Sequence, residues 1–189
     1  MILISVHGDT NFNEIKLFDC GDCYEGHLDN YVGVYAAMKA FFSGEMNSDN
    51  VKMVITYGEE TDMAGAREEA AKLSPEDIAI VMDVTATPTD KDFVIEKCEN
   101  KKIRNILDAA LKEFSYDIYE GCPDPVSNMD ECEIYRKKTD KFFFLGIPVF
   151  GGDYNAELVK VKKRTIDETA KALVVICKAL ETHYCGSQK

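Results

Sequence analysis

Three short stretches hold the side chains best suited to chemistry: His7 with Asp9, the adjacent pair Glu59 and Glu60, and Asp83. Imidazole combined with carboxylates is a donor set that suits zinc and its divalent neighbours. Adjacent glutamates aim in different directions, so one can ligate a cation while the other takes a proton from a water that the cation activates. Each piece alone is common. His-x-Asp occurs on ordinary surfaces, and Glu-Glu pairs open many helices, where they complement the helix dipole. Position joins them: each lies at or just past the C-terminal end of a run that reads as a buried strand, and open α/β sheets bind ligands at that rim. Cys20-Gly21-Asp22-Cys23, with His27 four residues on, is a further cluster. It lacks a second Cys-x-x-Cys and reads as an ordinary loop, with a metal or redox role as the alternative.

The elements that must position these residues follow from the hydrophobic pattern. Ile2, Leu3, Ile4 and Val6 form a strand ended by His7-Gly8-Asp9, and residues 7–28 are a polar, Gly/Asp/Asn-rich loop. Asp29 is the expected cap of an amphipathic helix running to Phe42 and stopped by Gly44. Further strands are expected at 51–57, 78–83, 93–97, 116–119 and 142–145, and further helices at 62–73, 103–114, 129–136 and 165–182. The run Phe142-Phe143-Phe144 belongs to the core, Cys177 is a small core hydrophobe, and His183 is a surface residue. Alternation of strands and helices predicts an α/β fold: a three-layer αβα arrangement with a mostly parallel mixed sheet covered on both faces.

Composition narrows the function. The 189 residues carry 34 acidic and 22 basic side chains, a formal net charge of −12, which disfavours phosphate backbones and anionic lipid surfaces. The densest basic stretch, Lys160, Lys162, Lys163 and Arg164, is followed by Asp167 and Glu168 and reads as a solvated face. No nucleic-acid or membrane partner is therefore expected. Without an apolar run of about 18–20 residues no bilayer span is expected. Seven cysteines without framework spacing read as reduced thiols in a cytoplasmic protein.

In order, His7-Gly8-Asp9, Gly26-His27-Leu28-Asp29-Asn30-Tyr31-Val32-Gly33, Gly58-Glu59-Glu60-Thr61-Asp62 and Asp83 resemble the co-catalytic zinc exopeptidases. That superfamily comprises di-zinc aminopeptidases, carboxypeptidases and deacylases such as acetylornithine deacetylase. The resemblance continues through Gly146-Ile147-Pro148 and Tyr154-Asn155-Ala156-Glu157 to the last helix, so it covers nearly the whole chain. It implies the zinc-exopeptidase (phosphorylase/hydrolase-like) core and a role for each position. His7 and Asp83 would ligate the first metal, Asp29 would bridge two metals and Glu60 would ligate the second. Glu59 would be the general base, and Asp9 would orient the His7 imidazole. The resemblance also makes Asp29–Asn30 a candidate cis peptide bond.

Two departures shape the expectation. The family has a histidine where this chain has Asn155, and an amide oxygen is the weaker zinc donor; Asp153 stands nearby. One firm Zn²⁺ site is expected and a second that is weak or absent, with Mn²⁺ or Co²⁺ as substitutes. His27 is an alternative donor two residues from Asp29. The chain also starts at the His-x-Asp strand, which predicts a single catalytic domain over 1–189 without the usual amino-terminal segment or an inserted dimerisation domain. Another copy covering an exposed sheet edge would then make a homo-oligomer. Asp130-Glu131 reads either as part of the pocket or as the acidic start of a helix. The function implied is metal-dependent hydrolysis of an amide bond in a small peptide or acylated amino acid. The alternatives are an inactive peptidase-like binding or assembly module and a single-zinc acyl transferase.

Overall fold

The computed structural model describes residues 1–184. Its first strand, β1 (Ile2–His7), is buried along its whole length and alternates between two faces. Ile2, Ile4 and Val6 enter the larger core, while Leu3, Ser5 and His7 point to the opposite side. β1 pairs in parallel with β4 (Val51–Thr56) and with β5 (Ile78–Thr85), and β5 pairs in parallel with β8 (Phe142–Pro148). Beyond β8 come β6 (Phe93–Glu96), antiparallel to it, and β7 (Tyr116–Ile118), giving the order β4-β1-β5-β8-β6-β7. The sheet is mixed and mostly parallel, as the alternation of elements predicts.

Helices cover both faces. α1 (Tyr31–Phe42), α3 (Lys101–Ala110) and α5 (Lys163–Tyr184) pack over the larger core with Val32, Ala36, Ile103, Leu107, Leu173 and Ile176. The short α2 (Ala64–Ala70) and α4 (Cys132–Tyr135) cover the other face through Ala66, Ala70 and Tyr135. Phe143, Leu145 and Cys177 are buried, and His183 is exposed. No helix among the described residues is long and apolar enough to cross a membrane.

Several boundaries differ from the sequence expectation. The stretch expected as one loop over 7–28 contains a hairpin, β2 (Leu17–Asp19) and β3 (Cys23–Gly26), which joins β9 (Val159–Lys162) in a second, three-stranded sheet. The basic stretch read as a solvated face is partly this strand: Val159 and Val161 are buried while Lys162 is exposed. Strands of three or four residues are too brief for their alternation to rise above a polar background. α1 begins one residue late, and its cap is Asn30, whose side chain accepts from the Gly33 backbone N–H, because Asp29 faces the cleft instead. The Asp29–Asn30 peptide bond is cis, matching the expectation.

Close packing fixes the loop after β4. The Gly65 N–H donates to the Tyr57 carbonyl at 2.9 Å, and a Cβ on Gly65 would lie 2.6 Å from the Tyr57 nitrogen. Only a glycine lets α2 sit this near the segment that carries Glu59 and Glu60.

Candidate metal centre and its cleft

Parallel pairing brings the C-terminal ends of β1, β4 and β5 to one rim, so His7, the Glu59-Glu60 loop and Asp83 converge there. Asp29 reaches the same place from the turn before α1. His7 Nε2 lies 3.0 Å from Asp83 Oδ2 and 3.2 Å from Asp29 Oδ1. All three side chains are buried, and each offers a donor atom within 4.8 Å of the others. A second group of the same tightness joins His7 with Glu59 and Glu60.

Asp9 stands on the other side of the imidazole, its Oδ1 3.5 Å from His7 Nδ1. Its carboxylate also receives long contacts of 3.4 Å from the backbone N–H groups of Glu59 and Glu60. Glu60 itself accepts from the Asn11 side chain. Asn155 lines the same cleft from an exposed turn, where its N–H donates to Asp153 Oδ1. His27 is elsewhere: its ring stacks on Phe12 at 3.9 Å, and its Nδ1 accepts from the Lys16 N–H. The six cysteines among the described residues are unbridged, with Cys20 and Cys23 flanking the hairpin turn; Cys185 lies outside the described residues.

The donors fit a divalent cation. Asp29 Oδ1 is buried with no well-formed hydrogen bond, its nearest polar neighbour being His7 Nε2 at 3.2 Å, and an ordinary interior rarely leaves a carboxylate oxygen so. Burial works against charge on His7, yet Asp83 and then Asp29 outweigh it and hold the imidazole well above its usual value. A proton there supplies the positive charge that the carboxylates need. Glu59 is pushed up to about 9, first by burial and then by the Asp83 charge, and Glu60 to about 7 by burial and Asp29. A cation beside these groups would reverse both shifts.

The cleft, metal group included, has a volume of about 290 Å³ and continues past Asp83. Thr85, two residues after Asp83 on β5, leads to Glu96 and Asp124, residues that no motif in the sequence singles out. Glu96 Oε1 accepts from the hydroxyls of Thr87 at 2.7 Å and Thr85 at 2.9 Å. Asp124 Oδ2 accepts from the Ala86 N–H at 2.8 Å and from the Tyr154 hydroxyl at 3.0 Å. The Thr85-x-Thr87 spacing after Asp83 was the available signal, since residues two apart on a strand share a face.

Lys97 braces this wall. Its Nζ donates to the Asn128 carbonyl at 2.6 Å and pairs with Asp130 at 2.9 Å and Glu133 at 3.3 Å. Asp130 also borders the cleft and caps the Cys132 N–H, so it is pocket wall and helix start at once, whereas Glu131 is buried against Ser5 beneath the sheet. Burial disfavours charge on Lys97, but Asp130, ahead of Glu133, keeps it above the ordinary lysine value of 10.5. Its stabilisation is complete below that value and fades as pH rises through the higher folded one. Lys97→Met should cost about 3 kcal/mol at pH 7, because Asp130 stays buried and unpaired. Denaturant unfolding at several pH values should show the difference narrowing only on the alkaline side of 10.5.

This architecture is the zinc-exopeptidase fold. Among solved structures the chain is similar to a TET aminopeptidase from a marine-sediment thaumarchaeon, with TM-score 0.68 and 11 % identity over 91 % of this chain and 54 % of that one. It is also similar to an aminopeptidase from the archaeon Desulfurococcus kamchatkensis, with TM-score 0.67 and 16 % identity over 89 % and 54 %. A third is the S. cerevisiae mApe1 dodecamer, with TM-score 0.64 and 10 % identity over 94 % and 51 %. The chain thus spans about half the length of these structures. No protein-family model matches it, and no curated protein gives a significant match.

Proposed function

We propose that the chain is a metal-dependent hydrolase of amide bonds in small peptides or acylated amino acids. The observation that carries this reading is the buried group of His7, Asp29 and Asp83, converging through His7 Nε2 and opening on the same cleft as Glu59. Those three residues would hold one firm Zn²⁺, Mn²⁺ or Co²⁺, with Glu60 and Asn155 offering a weaker second position. When bound, such a cation polarises a carbonyl and makes water a better nucleophile at neutral pH.

Glu59 takes the proton of the attacking water and returns it to the leaving nitrogen, so that the amide C–N bond breaks as the C–O bond forms. With its value near 9, Glu59 is protonated at neutral pH in the cation-free chain and works as a base only once nearby positive charge lowers that value. Asp9 fixes the imidazole of His7 from behind. Association of copies fits the same reading: on the edge strand β2, Leu17 and Phe18 are 61 % and 51 % exposed. Hydrolysis of aminoacyl anilides and N-acyl amino acids with added Zn²⁺, Mn²⁺ or Co²⁺ tests the proposal. Turnover that chelator removes supports it, and no turnover of any of these with any metal argues for a binding module.

A further inference from the structure

The face of β1 that carries His7 turns polar toward its end, beneath the metal group and away from the cleft. Ser5, two residues before His7, shares that face, and Thr56 is the register partner of His7 on β4, so both side chains flank the imidazole. Glu131, just before α4, reaches the same place from the covering layer. Its Oε2 accepts from the Ser5 hydroxyl at 2.6 Å, and the Tyr135 hydroxyl stands 2.8 Å from Ser5 Oγ.

The other half of the carboxyl is bare. Among the described residues neither Glu131 Oε1 nor the Thr56 hydroxyl has a hydrogen-bond partner, although Glu131 is 1 % and Thr56 3 % exposed. Each holds what the other lacks, a hydroxyl proton on Thr56 and an acceptor on Glu131. Burial pushes the Glu131 carboxyl up, while the hydroxyls of Ser5 and Thr56 and the charge on His7 hold it down, which sets all three close around it. A buried carboxyl with a bare oxygen destabilises a fold relative to an apolar side chain of its size, so stability does not account for Glu131.

His7 lacks firm support on this side. Its Nε2 faces Asp29 and Asp83, and its Nδ1 meets Asp9 at 3.5 Å, longer than a formed hydrogen bond. We infer that Glu131 is a positioning residue for His7: with Ser5 and Thr56 it holds the ends of β1 and β4 around the imidazole, so that the ring presents one orientation to a cation. The cleft is lined by Asp130 and not by Glu131, so the effect passes through the imidazole.

The inference rests on the reading of His7 as a metal ligand, and two measurements on the full chain keep the failures apart. The first titrates Co²⁺ and follows its visible bands in the parent, Glu131→Gln, Thr56→Val and Ile134→Ala, each below its own Tm. Glu131→Gln and Thr56→Val should weaken Co²⁺ binding by about 10-fold and shift the bands, as loss of a partner behind a ligand imidazole does. Thr56→Val carries the same expectation should Glu131→Gln fail to fold. Ile134→Ala loosens the same helix by a cavity in the core. It should lower Tm while the bands stay in place and Kd stays within about 2-fold. Equal weakening by Ile134→Ala, or an unchanged Kd in Glu131→Gln and Thr56→Val, overturns the positioning role. The second measurement reads the imidazole without metal, in the chain labelled with ¹⁵N-histidine. Glu131→Gln should move the ring-nitrogen signals of His7 and leave those of His27, which stacks on Phe12, in place. Ile134→Ala should move neither. If the parent binds no Co²⁺ yet His7 responds to Glu131→Gln, the metal reading fails and the positioning of His7 stands. A His7 that does not respond overturns the inference whether or not metal binds.

Discussion

Glu59→Gln is expected to lower kcat/KM by at least about 1,000-fold while leaving bound metal unchanged, the range that loss of a general base produces. Glutamine keeps the volume and one carbonyl oxygen but accepts no proton. The side chain lines the cleft from within the loop that the Gly65 N–H bond to Tyr57 closes, so the substitution should not disturb the fold. It should stabilise the cation-free chain at neutral pH, since the parent must take up a proton on Glu59 to fold and an amide need not. Steady-state kinetics on whichever anilide turns over fastest, with metal analysis of the same sample, checks both halves. A variant as active as the parent removes Glu59 from the mechanism.

The second large effect concerns His7. In the parent chain, Zn²⁺ at about 100 times its Kd should stabilise the fold by about 2.7 kcal/mol. For a chain of this size that is a rise in Tm of roughly 5–10 °C. His7→Ala should abolish the rise, because the imidazole is shared by both donor groups and Asp29 and Asp83 alone do not complete a site. The variant should also be less stable without metal: His7 is the positive partner of two buried carboxylates, and its loss leaves them repelling each other at short range. Calorimetry of both chains with and without Zn²⁺ measures these together. A metal-induced rise of equal size in His7→Ala would place the cation somewhere else.

Much of the sheet was legible because its strands are buried on both faces and read as continuous apolar runs, as in Ile78–Val81 and Phe142–Leu145. The strand ends carrying His7, Glu59, Glu60 and Asp83 followed directly from those runs. What the pattern hid was set by contacts remote in sequence. β2, β3 and β9 are three or four residues each, too short for a period to emerge, and β9 finds its partner more than 130 residues away. Asn30 displaced Asp29 as the cap of α1 because the Asn30 amide reaches both the Gly33 N–H and the Met82 carbonyl, freeing Asp29 for the cleft. Glu96 and Asp124 were invisible as a pair, since the antiparallel docking of β6 on β8 brings the first beside Thr85 and the loop after β7 brings the second.

The central claim is that His7, Asp29 and Asp83 form one firm metal site. Loading the full chain with Zn²⁺, removing free metal by desalting and counting zinc by atomic emission tests it most directly. One equivalent per chain is predicted, falling to none in His7→Ala. A desalted parent chain that retains no zinc would contradict the claim.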